Sequence, residues 1–158
     1  MELLTASAYQ GRAQEIADAE AMAIGNLMPG VRIEHIGSSA IPGALSKGDI
    51  DLCLLVPAAQ FEQALARLEQ LGYREKLDTL RTDELCMLVS PRRDIDLAVQ
   101  LVVLGSVFEF FLRFRDALRG STALVEQYNQ IKREAAHLTE DDYRAAKSRF
   151  IDEVLDNL

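Results

Sequence analysis

The chain has few of the residues that mark secreted or membrane-spanning proteins. Only two cysteines occur among its 158 residues, Cys53 and Cys86, and both lie in apolar runs without a CxxC or Cys/His spacing. We therefore expect reduced core thiols in a cytoplasmic protein rather than a disulfide framework or a zinc site. The longest apolar runs are far shorter than the roughly 20 residues that cross a bilayer. The first residues also lack the basic and apolar regions of a signal peptide.

Positive charge is scarce as well. Lysine and arginine number 17 against 25 aspartates and glutamates, which gives a formal net charge of -8. This excess argues against a broad basic surface that follows a long nucleic acid, but it leaves room for a small basic pocket. The 9 glycines and 4 prolines are scattered, without a repeat or a linker, while apolar residues make up 49% of the chain. We predict a single domain over residues 1–158 with a substantial core.

Hydrophobic periodicity predicts an α+β fold. A helical pattern over 7–28 precedes two strand patterns, 31–37 and 49–56, and a second helical pattern covers 58–72. Two further apolar runs, 84–90 and 94–104, flank a short turn and indicate an antiparallel hairpin, while 77–83 is either a short strand or a loop. Everything after Ser106 has helical periodicity. The prediction is a small mixed β-sheet flanked by helices, with a helical C-terminal portion.

The stretch "HIGSSAIPGALSKGDIDLCLLV", residues 35–56, carries the main candidate site. Asp49 and Asp51 stand one residue apart at the start of a buried strand, so both side chains point to the same face. Two neighbouring carboxylates are costly through desolvation and mutual repulsion. A divalent cation removes that cost, and Mg²⁺ binds through one or two carboxylates together with substrate phosphates.

The turn before these acids suits a phosphate. Gly37 permits close backbone approach, and successive N–H groups of the turn can cradle an anion. Ser38 and Ser39 add hydroxyl donors, and Lys47 is within reach of a phosphate, although loop lysines are usually only solvated. A lone Gly-Ser turn or Asp-x-Asp is more often a plain turn or a strand end. Joined at this spacing, they indicate a nucleoside triphosphate held with its metal.

A third carboxylate is expected from "RRDIDLAVQLVV", where Asp94 and Asp96 repeat the arrangement. If that strand neighbours the first, three acids would form a cluster able to hold two metal ions, as phosphoryl-transfer enzymes do. Asp96 is the preferred ligand. Asp94 is the alternative, because it sits at the turn and has Arg92 and Arg93 beside it as ion-pair partners.

These residues resemble a known family. Gly37-Ser38, a ten-residue gap and Asp49-Ile50-Asp51 resemble the signature of the DNA polymerase β-like nucleotidyltransferase superfamily. More closely, "VRIEHIGSSAIPGALSKGDIDLCLLV" resembles the GrpB family, as do "FRDAL", "VEQYNQIKREAA" and "YRAAKSRFIDEVL" near the end. The resemblance spans essentially the whole chain. It implies a nucleotidyltransferase-type sheet and C-terminal helices that close over the nucleotide, with Tyr143 and Lys147 as candidates to line the pocket.

Two departures from the GrpB pattern bear on activity. The family usually has Pro-Ile-Ile-Asp where this chain has Gly-Asp-Ile-Asp at 48–51, and it tends to have His-x-His near Ala98 and Gln100. Both changes favour the three-acid pattern. The resemblance then implies a metal-dependent nucleotidyltransferase that uses Mg²⁺ or Mn²⁺ and moves an NMP group from an NTP to an unidentified acceptor. The alternatives are a catalytically silent GrpB-like protein that binds a nucleotide or partner, and a partner of a helical protein.

Other polar and aromatic residues are assigned structural roles. His35 is favoured as a residue that bonds the turn over a catalytic one. Arg113 and Arg115 are expected in ion pairs. The aromatic cluster of Phe108, Phe110, Phe111 and Phe114 is interpreted as core.

Overall fold

The computed structural model describes residues 1–158. Its helices and strands follow in the predicted order, with all strands before the last three helices. The elements are α1 (Ala6–Leu27), β1 (Arg32–Ile36), β2 (Ile50–Val56), α2 (Phe61–Gln70), β3 (Arg74–Glu75), β4 (Leu85–Val89), β5 (Leu97–Val103), α3 (Phe110–Arg119), α4 (Thr122–Ala135) and α5 (Glu140–Asp156). The segment 77–83 is a loop, because the short strand that pairs with β4 lies before it, at β3.

The sheet has five strands in the order β1-β2-β5-β4-β3 and is mixed, as predicted. Only β2 and β5 run parallel, while β4 and β5 form the expected antiparallel pair. Parallel neighbours begin at the same edge of a sheet. In the β2–β5 register Ile50 faces Leu97, and the Ile50 N–H donates to the Asp96 carbonyl at 2.8 Å. The starts of the two Asp-x-Asp strands are therefore adjacent.

The two faces of β2 have different surroundings. Ile50, Leu52 and Leu54 belong to the main core, which α1 and α2 cover. Cys53 and Leu55 point to the other face, into a smaller core closed by Leu112 of α3. Because side chains alternate along a strand, Asp51 shares this second face. Asp51 lies at the end of the row, where the apolar cover stops.

The last three helices pack around an aromatic cluster. Phe114 of α3 meets the rings of Tyr128 and Phe150 edge-on, and Tyr128 and Phe150 stack with centroids 5.1 Å apart. Such contacts join α3, α4 and α5 into one unit. Ser121 and Thr139 cap α4 and α5 by accepting from Leu124 N–H and Asp142 N–H. None of the helices combines the length and apolarity needed to cross a bilayer.

Candidate functional site

A cavity of about 610 Å³ lies between the sheet edge where β2 and β5 begin and the C-terminal helices. Its lining includes the acids at that edge, the Gly-Ser turn, and side chains from α3, α4 and α5. Of the predicted site residues, Gly37, Ser38, Lys47, Asp49, Asp51, Asp96, Tyr143 and Lys147 line this one cavity. Folding thus brings together residues that lie up to 110 positions apart in the chain, from 37 to 147.

Asp51 packs directly against the Gly-Ser turn. It pairs with Ile36 of β1 on one side and Ala98 of β5 on the other. A Cβ atom at Gly37 would lie 2.8 Å from Asp51 Oδ2, and Gly37 has φ +73°. Both the close approach and the backbone conformation therefore require glycine. The turn and the acid form one structural unit, as their spacing predicts.

The charge on Asp51 is poorly compensated. Burial, followed by the repulsion of Asp49, raises the pKa of Asp51 to about 7, while Lys147 and Lys47 oppose the rise. The pKa of Lys147 shifts in the opposite direction, because burial lowers it while the two aspartates act to raise it. An added cation would stabilise the ionised form of this desolvated carboxylate. The pair Asp49 and Asp51 offers hard oxygen ligands, which fit Mg²⁺ or Mn²⁺ completed by phosphate oxygens and water.

Asp49 has its own polar support from the preceding loop. Ser46 Oγ lies 3.2 Å from Asp49 Oδ1. Lys47 is exposed and lies at the cavity rim. Asp49 is only partly buried, so its carboxylate faces both this loop and the cavity.

The third carboxylate is not placed as expected. Asp96 lines the cavity, but it is exposed and lies just before β5, whereas the β5 residue opposite Asp51 is Ala98. No group of three or more His, Cys, Asp or Glu residues is positioned to hold a metal ion. The expected convergence of three acids is thus corrected to a pair, with Asp96 at the rim. The cause is register, since each step along β5 moves a side chain by about 3.3 Å.

Asp94, the alternative third ligand, is engaged elsewhere. Its carboxylate forms ion pairs with Arg92 at 2.8 Å and with Arg12 at 3.3 Å, on the surface and outside the cavity. The prediction that Asp94 pairs with a neighbouring arginine is confirmed, and Asp94 as a metal ligand is corrected. The turn between β4 and β5 keeps Arg92 beside Asp94.

The two serines of the turn have different environments. Ser38 lines the cavity, whereas Ser39 is buried and its Oγ lies 2.8 Å from His35 Nε2. Residues 38–40 form one 3₁₀ turn, in which successive side chains point about a third of a turn apart. The expectation that Ser39 donates to a phosphate is corrected for this reason. His35 has the structural role preferred from the sequence, and burial, helped by Arg119, lowers its pKa to about 4.

Sequence reasoning missed Lys132 on α4. Its side chain is 1% exposed, and its ammonium group donates to Ser38 Oγ and the Leu45 carbonyl and lies 4.0 Å from the Tyr128 ring centroid. Burial, followed by repulsion from Lys147, lowers the pKa of Lys132 to about 7. The available signal was a repeat, because "YNQIK" at 128–132 matches "YRAAK" at 143–147. Both tyrosine-lysine pairs line the cavity.

Three residues of the aromatic cluster, Phe110, Phe111 and Phe114, also line the cavity. Phe110 and Phe111 line it with ring centroids 4.3 Å apart, so the prediction of a purely core cluster is corrected for them. Phe114 is buried in the core of the C-terminal helices, although an edge of it reaches the cavity. Arg115 is buried and forms ion pairs with Glu34 and Asp116, as expected of a structural residue. The same expectation is wrong for Arg113, which is exposed and forms no ion pair.

Comparison with known proteins identifies the family. Residues 5–157 match the family described as GrpB protein. The chain belongs to the GrpB family. A UPF0157 protein of Vibrio cholerae serotype O1 is 43% identical over 155 residues, which cover 98% of this chain and 82% of that protein. A UPF0157 protein of Halalkalibacterium halodurans is 28% identical over 96% of this chain and 80% of its own length.

Solved structures show what fold this GrpB-family chain has. It is similar to the crystal structure of GrpB from Enterococcus faecalis, with a TM-score of 0.75, 23% identity, and coverage of 99% of this chain and 98% of that one. It is also similar to the Cid1 poly(U) polymerase bound to Mg 3'-dATP, with a TM-score of 0.61, 14% identity, and coverage of 87% and 47%. The predicted nucleotidyltransferase-type fold is confirmed.

Proposed function

We propose that this GrpB-family protein binds a nucleoside triphosphate in the cavity and transfers its nucleotidyl group to an acceptor hydroxyl. The acceptor oxygen would form a bond to the α-phosphorus, the bond between the α- and β-phosphates would break, and pyrophosphate would leave. The proposal rests on one observation: two opposite walls of the cavity differ in charge. Asp49 and Asp51 lie at the sheet edge, and Lys132 and Lys147 lie on the helices that close the cavity. Acids for a divalent cation and cations for phosphates are the parts that nucleotidyl transfer needs.

Asp49 and Asp51 would hold Mg²⁺ or Mn²⁺, which when bound would neutralise phosphate charge and lower the pKa of the acceptor hydroxyl. Lys47 and Lys147 would pair with phosphate oxygens. Ser38 would donate its hydroxyl hydrogen, since its oxygen already accepts from Lys132. The N–H groups of the Gly37–Ser39 turn would add further donors.

Asp96 and Tyr143 would complete the site. Asp96 is an exposed carboxylate at the cavity rim, so it is available to accept a proton from the acceptor. Tyr143 presents a ring beside Lys147, whose Nζ lies 5.4 Å from the ring centroid. A nucleobase or ribose would pack on that ring. The acceptor is a small molecule, a protein side chain or an RNA end, and the net charge of -8 makes a long nucleic acid the least expected choice.

A second candidate function is nucleotide binding without transfer. It is favoured by the apolar Ala98 opposite Asp51 and by the absence of a three-acid group. In such a protein the cavity would sense a nucleotide and regulate a partner. The two functions make the same binding prediction and differ only in turnover.

The decisive experiment is a transfer screen with α-labelled ATP, GTP, CTP and UTP and either Mg²⁺ or Mn²⁺. The readout is label moved to the protein itself or to candidate acceptors, followed by gel and thin-layer separation. Transfer that Asp51→Asn abolishes supports the enzyme. Saturable nucleotide binding by calorimetry with no label moved under any condition supports the silent protein instead.

Asp49→Ile separates catalysis from binding. It restores the Ile-Ile-Asp of the usual GrpB pattern and removes one charge from the acid pair, so the fold should survive. We expect transfer to fall by about 10² or more, because one carboxylate ligand is lost, and nucleotide affinity to fall far less. Asp152→Asn is the control, an exposed acid of α5 outside the cavity, and it should transfer normally. Equal transfer by wild type and Asp49→Ile would contradict the enzyme proposal.

A further inference from the structure

We infer that Ser46 is a positioning residue for Asp49: it holds that carboxylate in the orientation from which it receives a divalent cation. This inference rests on the proposed function and deepens it, because it assigns a role to a residue with no ionisable group. Ser46 is 4% exposed and lies three residues before Asp49. It lines the same cavity.

The hydrogen-bonding capacity of the Ser46 hydroxyl determines which group receives its single hydrogen. A hydroxyl has one hydrogen to donate and two lone pairs to accept with. Ser46 Oγ accepts from the Gly48 N–H at 2.9 Å. An ionised carboxylate only accepts, so the single hydrogen of Ser46 is donated to Asp49 Oδ1, 3.2 Å away. Oδ2 of Asp49 is then the oxygen left for a ligand.

The backbone around Ser46 is fixed from two sides. Its N–H and C=O pair with Leu4 at 3.2 and 2.7 Å in an isolated β-bridge. The preceding Leu45 donates its N–H to Asn129 Oδ1 at 2.8 Å and accepts from Lys132. Buried groups held by several bonds lose little orientation to thermal motion. Ser46 is therefore a rigid reference point for Asp49, which itself precedes β2 and is only partly buried.

Gly48 gives the loop the shape that returns Asp49 toward Ser46. It has φ +103°, and a Cβ there would lie 3.3 Å from Leu4 Cδ1. The loop from 46 to 49 is thus a compact turn whose serine hydroxyl bonds one backbone N–H and one carboxylate. Groups that orient a metal-binding carboxylate in this way typically change metal affinity by about 10- to 100-fold when removed.

A rival explanation is that Ser46 only stabilises its turn, since serine often bonds the N–H two residues ahead. Ser90 provides a matched control for that role. It is also buried, its Oγ also accepts from an N–H two residues ahead, Arg92 at 3.2 Å, and it does not line the cavity. Ser90→Ala thus removes the same kind of turn bond without touching the acid pair.

The test measures binding of Mn²⁺ by electron paramagnetic resonance of the free ion, with inorganic tripolyphosphate as the phosphate probe. We expect Ser46→Ala to weaken Mn²⁺ binding by about 10-fold, and Ser90→Ala to leave it within 2-fold. In the Asp49→Ala background, Ser46→Ala should change the remaining affinity by less than 2-fold. A residue that acts through Asp49 has no effect once that carboxylate is gone.

Three results would overturn the inference: equal losses from Ser46→Ala in both backgrounds, no loss in the wild-type background, or a wild type that binds no Mn²⁺ with the probe. Ser46→Cys keeps the shape of the side chain with a larger atom and a weaker donor, and it replaces Ser46→Ala in the cycle should the alanine variant not fold. Binding is measured without turnover, so the inference can stand where no transfer is found. It can also fail where transfer occurs.

Discussion

Asp51 and Gly37 set the chemistry of the site at the level of single side chains. The carboxylate of Asp51 lies so close to the Gly37 backbone that any side chain there would clash. Burial, followed by the repulsion of Asp49, makes the protonated form of Asp51 unusually favourable. Without a cation in the cavity, ionisation of Asp51 lowers the free energy of unfolding.

This cost predicts a pH-dependent effect of Asp51→Asn. The folded protein holds the Asp51 proton more tightly than the unfolded chain, so its contribution to stability falls as pH rises from 3.8 toward about 7. We expect the metal-free Asp51→Asn variant to exceed the wild type in unfolding free energy by roughly 4 kcal/mol at pH 8, and by little at pH 4. Urea unfolding at both pH values measures the difference.

The comparison of the two proteins at one pH cancels the titrations that do not depend on Asp51. His35 and Lys132 have pKa values lowered to about 4 and about 7, so each favours folding as pH rises, but both are present in the two proteins. A difference between variant and wild type that stays constant from pH 4 to pH 8 would contradict the raised pKa of Asp51.

Among the secondary-structure elements, α4 makes the most side-chain hydrogen bonds to the loop between the Gly-Ser turn and the acids. The loop's carbonyl groups accept hydrogen bonds from side chains of three helices. The pairs are Tyr9 to Ala44, Gln10 to Ile41, Arg119 to Ala40, Asn129 to Gly43, and Lys132 to Leu45. Asn129 also accepts from the Leu45 N–H, so one buried amide satisfies two backbone groups. A loop held in this way presents its turn and acids in one geometry.

Asn129→Ala is expected to loosen this loop and destabilise the protein. It leaves the Gly43 carbonyl and the Leu45 N–H without partners, which should cost about 2–4 kcal/mol of unfolding free energy. Amide hydrogen exchange at 44–46 should become faster, with that in β2 following the global stability. Gln130→Ala is the control, since Gln130 is exposed and bonds only Glu134 and Arg133 on the surface, and it should change stability by less than about 0.5 kcal/mol. Similar exchange in both variants would show that the loop does not depend on α4.

For the molecule as a whole, basic side chains concentrate around the cavity of an otherwise acidic protein. The net charge is -8, yet Lys47, Lys76, Lys132, Arg144 and Lys147 all line one cavity. The sheet edge provides Asp49, Asp51 and Asp96, and the C-terminal helices provide most of the cations. A ligand that bears phosphates and a divalent cation would connect these two parts. Its binding should therefore stabilise the entire fold.

We expect Mn²⁺ or Mg²⁺ with an NTP to raise the melting temperature. A ligand at about 100 times its dissociation constant adds about 2.7 kcal/mol, which for a chain of 158 residues corresponds to a rise of roughly 5–10 °C. Asp51→Asn should remove most of the rise, whereas Asp152→Asn should keep it. Melting curves that do not move with millimolar metal and nucleotide would exclude both the enzyme and the silent nucleotide-binding protein.

Local patterns in the chain were sufficient for the secondary structure and for the central motif. Helical and strand periodicities predicted the order of elements, because these signals depend on neighbours a few residues away. The Gly-Ser turn and Asp51 were predicted to meet for a related reason. They end and begin two strands that pair directly, with Ile36 opposite Asp51.

Long-range packing decided the remainder of the site. Register placed Ala98, not an acid, opposite Asp51. The contact of Ser39 with His35, four residues away, is instead a local effect of the 3₁₀ turn. Lys132 becomes a cavity residue only because α4 lies over the turn, and Phe110 and Phe111 reach the cavity only because of where α3 begins. A one-residue change of register or a rotation of a helix alters which side chain faces the cavity, while the local pattern stays the same.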